Sequence, residues 1–198
     1  MTGRAQFTAF SRLLHWLMAV MVLAMLFIGA GMVSSVSERY HLLVSIHRPL
    51  GILILVLVIV RIVNRCINPA PPLPAQLPLW QRLAAKGSHV VLYALMFLLP
   101  LVGWAMLSAA RYPIVLYGPL HLPPILSHDA KLYAVLRQAH TYLAYLLFAT
   151  FLAHLGAALL HALIHRDGVF TSMAPWRTRA GEAASAKAGD AAAGPASI

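Results

Sequence analysis

The sequence predicts an all-α integral membrane protein, a single bundle of four transmembrane helices. Of its 198 residues, 61% are hydrophobic and 10% are charged, and its mean hydropathy is +0.77. A soluble domain of this length cannot bury so large an apolar share, whereas a helix of about 20 apolar residues crosses the hydrocarbon core of a bilayer. Four apolar runs nearly free of charge reach this length: about 13–33, 42–62, 90–109 and 136–164.

The segments between these runs predict how the helices connect. Residues 34–40 are few and polar, so the first two helices are expected to be antiparallel neighbours. Prolines crowd residues 68–78, which predicts an extended linker. Residues 111–132 form the longest outside connection, whose prolines predict irregular backbone, and loops of this length are often functional. We therefore expect one membrane domain over 1–177, followed by an Ala-, Gly- and Ser-rich disordered tail over 178–198.

The basic residues predict the orientation of the bundle. The net charge of +10 is spread along the flanks of the apolar runs and does not form a soluble patch, which argues against nucleic acid as a partner. With the N-terminus inside, ten of the 15 Lys and Arg residues fall on the inner side and five on the outer side. Cytoplasmic loops carry such an excess, so both termini are expected in the cytoplasm. The first run is longer than the roughly 7–15 apolar residues of a signal peptide, so we expect a retained span.

Histidines inside the spans are the main functional signal. The chain has ten, and ionisable residues within a bilayer are costly and usually functional. His140 and His154 are close to four helical turns apart, so they share one face of the fourth helix and lie about 21 Å apart along its axis. This spacing suits two haems, one near each side of a core of about 30 Å, each ligated by neutral imidazoles from facing helices. With one cysteine and no Cys-x-x-Cys-His, the haems would be held without covalent attachment.

Each haem then needs a second histidine at matching depth. His47 lies near the outer start of the second span and matches His140. His15 lies near the inner start of the first span, and its partner stays open among His154, His161 and His89. Electron transfer favours His154, because His161 would put the two irons about 31 Å apart along the axis.

A proton relay or a transition-metal pathway is the main rival for such a set of histidines. Those pathways usually include carboxylates within the membrane. None of the five acidic residues falls in a predicted span.

Several stretches resemble the bacterial di-haem cytochrome b561 family, whose best-defined activity is superoxide oxidase (superoxide:ubiquinone oxidoreductase). The resemblance covers about residues 12–175 and is specific as a set. Its stretches are SRLLHWL (11–17), IHRPLGILILVLVIVRIVNR (46–65), GSHVVLYALMFLLPLVGWAM (87–106), RQAHTYLAYLL (137–147) and AHLGAALLHALIHRDGVFTSMAP (153–175).

The resemblance implies two haems b, an inner one ligated by His15 and His154 and an outer one by His47 and His140. It also implies a multi-pass protein of the bacterial inner (plasma) membrane. Family members often carry a further histidine where this chain has Lys86. That departure bears only on a secondary role at the inner side.

The implied substrates suggest further site residues. Superoxide is an anion, and a rim of basic residues on the outer side would attract it; the alternative is that these residues pair with haem propionates. They are Arg48, Arg111, Lys131 and Arg137. Ubiquinone would enter from the lipid bilayer at the inner side. Histidines there could supply protons or bind a carbonyl, and neighbours of His15 could line the pocket, or serve only as an interfacial anchor and a helix cap. These candidates are His89, His161, Ser11 and Trp16.

Two other functions remain open on the sequence alone. The first is a cytochrome b subunit that accepts electrons from a soluble or membrane redox protein. The second is a non-redox membrane protein whose histidines move ions. A concave basic pocket at the outer face would favour a small anion as the donor, and a broad flat surface would favour a protein.

Overall fold

The structure, a computed structural model, describes residues 6–34, 36, 38–73 and 77–174. The tail predicted over 178–198 lies outside these residues. The elements are helices α1 (Ala9–Ser34), α2 (Glu38–Ile67) and α3 (Leu79–Ala109), strands β1 (Ile114–Tyr117) and β2 (Leu120–Leu122), helix α4 (Ala130–Leu160), a π-helical turn (His161–His165) and helix α5 (Val169–Met173).

The four long helices confirm the four predicted spans. Each is long and apolar enough to cross a membrane, counting the π-helical turn with α4. The helices extend beyond the apolar runs, because a helix continues into the interface as long as its backbone is hydrogen-bonded. Helix α3 starts eleven residues before the predicted span. Helix α4 starts at Ala130 because the Asp129 carboxylate accepts hydrogen bonds from the backbone amides of Lys131 and Leu132.

The bundle is held by an apolar core along its middle. Helix α1 packs against α2, α2 against α3, and α3 against α4. Most other large apolar side chains on these helices face outward, as expected where lipid replaces water as the solvent. One buried cluster consists of Met21, Val22, Ile54, Leu95, Leu99 and Leu147, and a second consists of Met18, Leu55 and Val58.

The connection between α3 and α4 is more regular than expected. The sequence predicted irregular backbone, but β1 and β2 pair as an antiparallel hairpin in which Ile114 faces Leu122. The β-branched and aromatic residues Ile114, Val115 and Tyr117 favour the first strand, and Gly118 supplies the positive φ of 50° at the turn. The fold is mostly helical, as expected, and the described part of the chain adds this one short hairpin to it. We call its end of the bundle the outer end.

At the opposite end of the bundle, residues near the beginning and the end of the described chain are hydrogen-bonded to each other. The Phe7 amide donates to the Ser172 carbonyl (3.1 Å), and Trp16 Nε1 donates to the Met173 carbonyl (2.9 Å). Helix α5 therefore lies against the start of α1. We call this end of the bundle the inner end.

Candidate functional site

Two histidines from different helices face each other near the outer end. His47 of α2 and His140 of α4 have ring centroids 6.1 Å apart, with their planes at 65°. Nδ1 of His47 is buried and has no hydrogen-bond partner among the residues that the structure describes. A Cβ built on Gly103 of α3 would come within 3.4 Å of His140 Cε1, so the glycine leaves room for that ring. We call His47 and His140 the outer pair.

The spacing of the outer pair fits a single iron between the rings. Metal–imidazole bonds are about 2 Å long, and two rings on opposite sides of one ion therefore have centroids about 6 Å apart. The ring centroids of His47 and His140, 6.1 Å apart, match this distance.

Three histidines gather in the inner half of the bundle. His15 of α1 and His154 of α4 have ring centroids 6.4 Å apart, and His89 of α3 lies 5.3 Å from His154. The first distance is close to what two imidazoles on one iron require, and the second is shorter. His161, the remaining alternative, contacts Asp167 instead. The geometry therefore favours His15 with His154, which we call the inner pair.

An arginine that the sequence reasoning counted only as an inner basic residue lies beside the inner pair. Arg61 of α2 donates from Nε to the Tyr93 hydroxyl (2.9 Å) and from Nη1 to the Ser11 carbonyl (3.2 Å). Its Nη2 lies 3.2 Å from Nδ1 of His15. All three of these partners are neutral, although a guanidinium inside a span prefers an anion. Its place within an otherwise apolar run of the sequence is the signal that could have identified it.

The predicted quinone residues lie at the inner end but have different surroundings. Ser11 is buried, and its hydroxyl accepts a hydrogen bond from Asn64 Nδ2 (2.7 Å). Trp16 packs edge-on against His15 with ring centroids 5.6 Å apart, while its Nε1 bonds the chain after α4. His89 is exposed on the surface of the bundle. The structure thus gathers Ser11, Trp16 and His89 around the inner pair.

His161 lies further toward the inner end and has an acidic partner. Its Nδ1 is 2.6 Å from Asp167 Oδ2. Burial on its own would raise the pKa of Asp167, but hydrogen bonds from the Val169 amide and from His161 outweigh it and hold the pKa below its usual value. Asp167 is therefore a carboxylate at neutral pH.

The four predicted basic residues all lie at the outer end, and we call them the outer basic rim. Arg48 follows His47 and donates to the Pro113 carbonyl (3.2 Å), while Arg111, Lys131 and Arg137 are exposed. Arg111 has a left-handed backbone, with φ of 57°.

A cavity of about 780 Å³ lies between the hairpin and the end of α3. Arg111, His121 and His128 are among its lining residues, but neither histidine of the outer pair lines it.

The family model described as prokaryotic cytochrome b561 matches residues 6–176. The chain belongs to the prokaryotic cytochrome b561 family. The match spans all four transmembrane helices and every histidine of the two pairs. This cytochrome b561 is thus a bacterial membrane protein that binds haem b and transfers electrons, as the resemblance implied.

Three named relatives show how far the similarity reaches. Cytochrome b561 homolog 2 of Escherichia coli (strain K12) is 34% identical over 163 residues, covering 80% of this chain and 86% of that protein. Cytochrome b561 homolog 1 of the same organism is 28% identical over 141 residues, covering 71% and 80%. A Yersinia pestis protein named probable superoxide oxidase CybB is 34% identical over 131 residues, covering 66% and 73%.

Proposed function

We propose that this cytochrome b561 binds two haems b in the bacterial inner membrane, oxidises superoxide at its outer end and reduces ubiquinone at its inner end. Both termini would lie in the cytoplasm. The observation that carries the proposal is that the bundle holds two histidine pairs at two depths. The ring centroids are 6.1 Å apart in the outer pair and 6.4 Å apart in the inner pair. The name of the Yersinia relative supports superoxide as the electron donor.

The four paired histidines would hold the haems as neutral imidazoles. When bound, each haem supplies a one-electron iron couple. A histidine that ligates iron through Nε2 keeps its proton on Nδ1 and then cannot accept a hydrogen bond there. Arg61 would therefore give up its contact with His15 and turn to an anionic acceptor such as a haem propionate, while Tyr93 and Ser11 keep their bonds to it.

The outer basic rim would bring superoxide to the outer pair. Exposed cations of one sign raise the local concentration of an anion and its rate of encounter. Arg48 is next to His47 in the chain, and its guanidinium is held by the Pro113 carbonyl at the base of the hairpin. Each superoxide that loses one electron leaves as dioxygen, so two superoxide ions are needed for every quinone.

Ubiquinone would bind beside the inner pair, at the surface that faces lipid. His89 is exposed there, 5.3 Å from His154, and Trp16 packs on His15. The hydrogen bond from Asn64 Nδ2 would fix the position of the Ser11 hydroxyl beside this site. Reduction of the quinone to quinol takes up two electrons and two protons, and His89 and His161 are the titratable candidates for proton supply at this end.

A second candidate function is that of an electron-transfer subunit whose donor is a redox protein. One observation favours it: the outer hairpin carries large apolar side chains into the solvent, with Tyr117 85% and Leu120 58% exposed. Exposed aromatic and aliphatic residues surrounded by cations are typical of a protein-docking surface.

The test adds enzymatically generated superoxide to purified haem-loaded protein together with a short-chain ubiquinone. Under the first proposal the haems are reduced quickly and quinol accumulates. Haems that stay oxidised with superoxide, and are reduced only by a protein donor, would refute it in favour of the second candidate.

A further inference from the structure

The chain reverses direction just after α4 through a distinctive turn. Residues 161–165 are π-helical, and the Arg166 amide donates to the His161 carbonyl at 2.8 Å. Arg166 has a left-handed backbone (φ 50°), which is unfavourable for a residue with a side chain. Gly168 follows with φ of 84°. Together these irregularities bring Asp167 back onto His161, and π-helical turns are frequent at functional sites.

The contact between the two side chains is short and largely enclosed. The His161 side chain is 14% exposed and that of Asp167 is 21% exposed. Asp167 Oδ2 meets His161 Nδ1, while Oδ1 accepts a hydrogen bond from the Val169 amide (3.2 Å). The carboxylate is thus fixed from both sides.

An ionised carboxylate can only accept hydrogen bonds, so it fixes the histidine tautomer. The proton that stays on His161 is the one on Nδ1, and Nε2 becomes the nitrogen that gains and loses a proton.

Other charged and titratable groups lie near the turn: Arg12 Nη1 donates to the Ala174 carbonyl just after α5, and the start of α3, which packs on α4, carries Arg82, Lys86 and His89. The His165 ring lies 5.2 Å from that of His161, and the Arg166 guanidinium donates to the Leu163 carbonyl. Helix α5, which packs on the turn, contains no titratable side chain. Helix α4 next to the turn carries none closer than His154. Among the acidic residues that the structure describes, Asp167 is alone at the inner end.

This turn lies between the inner pair and the inner end of the bundle. His161 is seven residues after His154, which is about two helical turns or 10.5 Å further along the axis. Helix α5 leads directly from Asp167 to the carbonyl that binds Trp16, the neighbour of His15.

We propose that His161 delivers protons to the reduced quinone, and that Asp167 is the positioning residue that orients it. This inference rests on the proposed function. For each electron that the quinone receives, the N–H bond at His161 Nε2 breaks and an O–H bond forms on a quinone oxygen. The bond from Nδ1–H to Asp167 stays intact, and water at the inner surface reprotonates Nε2. Two such cycles, with two electrons from two superoxide ions, convert one quinone into one quinol.

The experiment isolates the inner half of the reaction. Purified haem-loaded protein is reduced chemically without oxygen and mixed with a short-chain ubiquinone, and haem reoxidation is followed between about pH 5.5 and 8.5. Superoxide plays no part in this measurement. The variants are Asp167→Asn and Asp167→Glu, with His161→Gln as the complete loss and His165→Gln as the matched control. Haem spectra and thermal unfolding establish that each variant is folded.

We expect Asp167→Asn to slow reoxidation about tenfold or more, because a general acid is effective only when its donating N–H is oriented toward the acceptor. Asp167→Glu should restore much of the rate, His161→Gln should be the slowest, and His165→Gln should match wild type. A purely structural role for Asp167 would not slow reoxidation in a variant whose haem spectrum and thermal unfolding match wild type.

Other results overturn the inference. If Asp167→Asn reoxidises at the wild-type rate with the wild-type pH profile, the positioning role is refuted while quinone reduction stands. If wild-type haems pass no electrons to quinone, the proposed function fails with it. If the variants do not fold, nitrogen NMR of the wild-type protein tests the proposal instead. Nitrogen NMR should show His161 with a proton fixed on Nδ1, and a proton fixed on Nε2 would refute the proposal.

Discussion

Replacing Ser108 by alanine should loosen the outer connection without disturbing the bundle. The Ser108 side chain is 2% exposed; its hydroxyl donates to the Trp104 carbonyl (2.9 Å) and accepts from the Ile125 amide (3.1 Å). Alanine leaves that amide without its acceptor, at a cost of about 1–3 kcal/mol. Because the bond is only partly buried, we expect about 1.4 kcal/mol, which is a tenfold change in an equilibrium constant.

Hydrogen exchange followed by mass spectrometry measures this change directly. Peptides that contain Ile125 should exchange about tenfold faster in Ser108→Ala, while peptides from the middle of α4 should not change. Ser45→Ala is the matched control, because the Ser45 hydroxyl also bonds a backbone carbonyl but is exposed and accepts no amide. That change should stay within about 0.5 kcal/mol.

The reasoning is refuted if Ser108→Ala and Ser45→Ala exchange alike around Ile125. Such a result would mean that the connection between α3 and α4 is held by other hydrogen bonds, without a contribution from Ser108. The candidates are Trp104 Nε1 to the Pro123 carbonyl and His128 Nδ1 to the Ala109 carbonyl, both 2.9 Å.

Three further predictions concern the haem sites and the outer basic rim. Arg61→Gln should lower the midpoint potential of one haem in a redox titration, because a nearby cation favours the reduced iron. Arg65→Gln is the control and should lower that potential less. Equal shifts in the two variants would argue against a special role for Arg61. Gly103→Val should displace the His140 ring and reduce the haem content. Gly87→Val should keep the full haem content, because no atom lies within 4 Å of the Cβ position of Gly87. Full haem content in both variants would contradict the close contact between position 103 and the His140 ring. The rate of haem reduction by superoxide should fall as salt rises, since salt screens the exposed cations, and a salt-independent rate would remove the rim from the mechanism.

The four spans followed from the sequence because the bilayer imposes one simple length requirement. The predicted limits were too short where polar residues continue a helix into the interface, as at the start of α3. The hairpin between β1 and β2 escaped prediction because its strands are only four and three residues long and prolines flank them on both sides. Only its pairing partner reveals that residues 114–117 form a strand.

The histidine pairs could be anticipated because depth in a bilayer can be counted from the ends of each span. Depth alone left the partner of His15 open, since His154, His161 and His89 all lie in the inner half. Ring distances in the folded chain narrow this choice. They depend on how the helices rotate against each other, and a sequence pattern does not contain that information.

Contacts made by irregular backbone could not have been predicted. The approach of Asp167 to His161 depends on a π-helical turn and on the left-handed Arg166, which no local sequence rule anticipates. Arg61 was hidden for a different reason, because a cation near the end of a span usually reaches out to the interface. Its three inward bonds require Tyr93 and Ser11 to converge from two other helices.

The haem-to-protein ratio of histidine variants tests the central claim most directly. Wild-type protein should contain two haems b per chain, and His140→Gln and His154→Gln should each contain one, with different remaining spectra and potentials. His41→Gln, at the exposed start of α2, should keep both. One haem in the wild type, or two haems in both paired variants, would contradict the account.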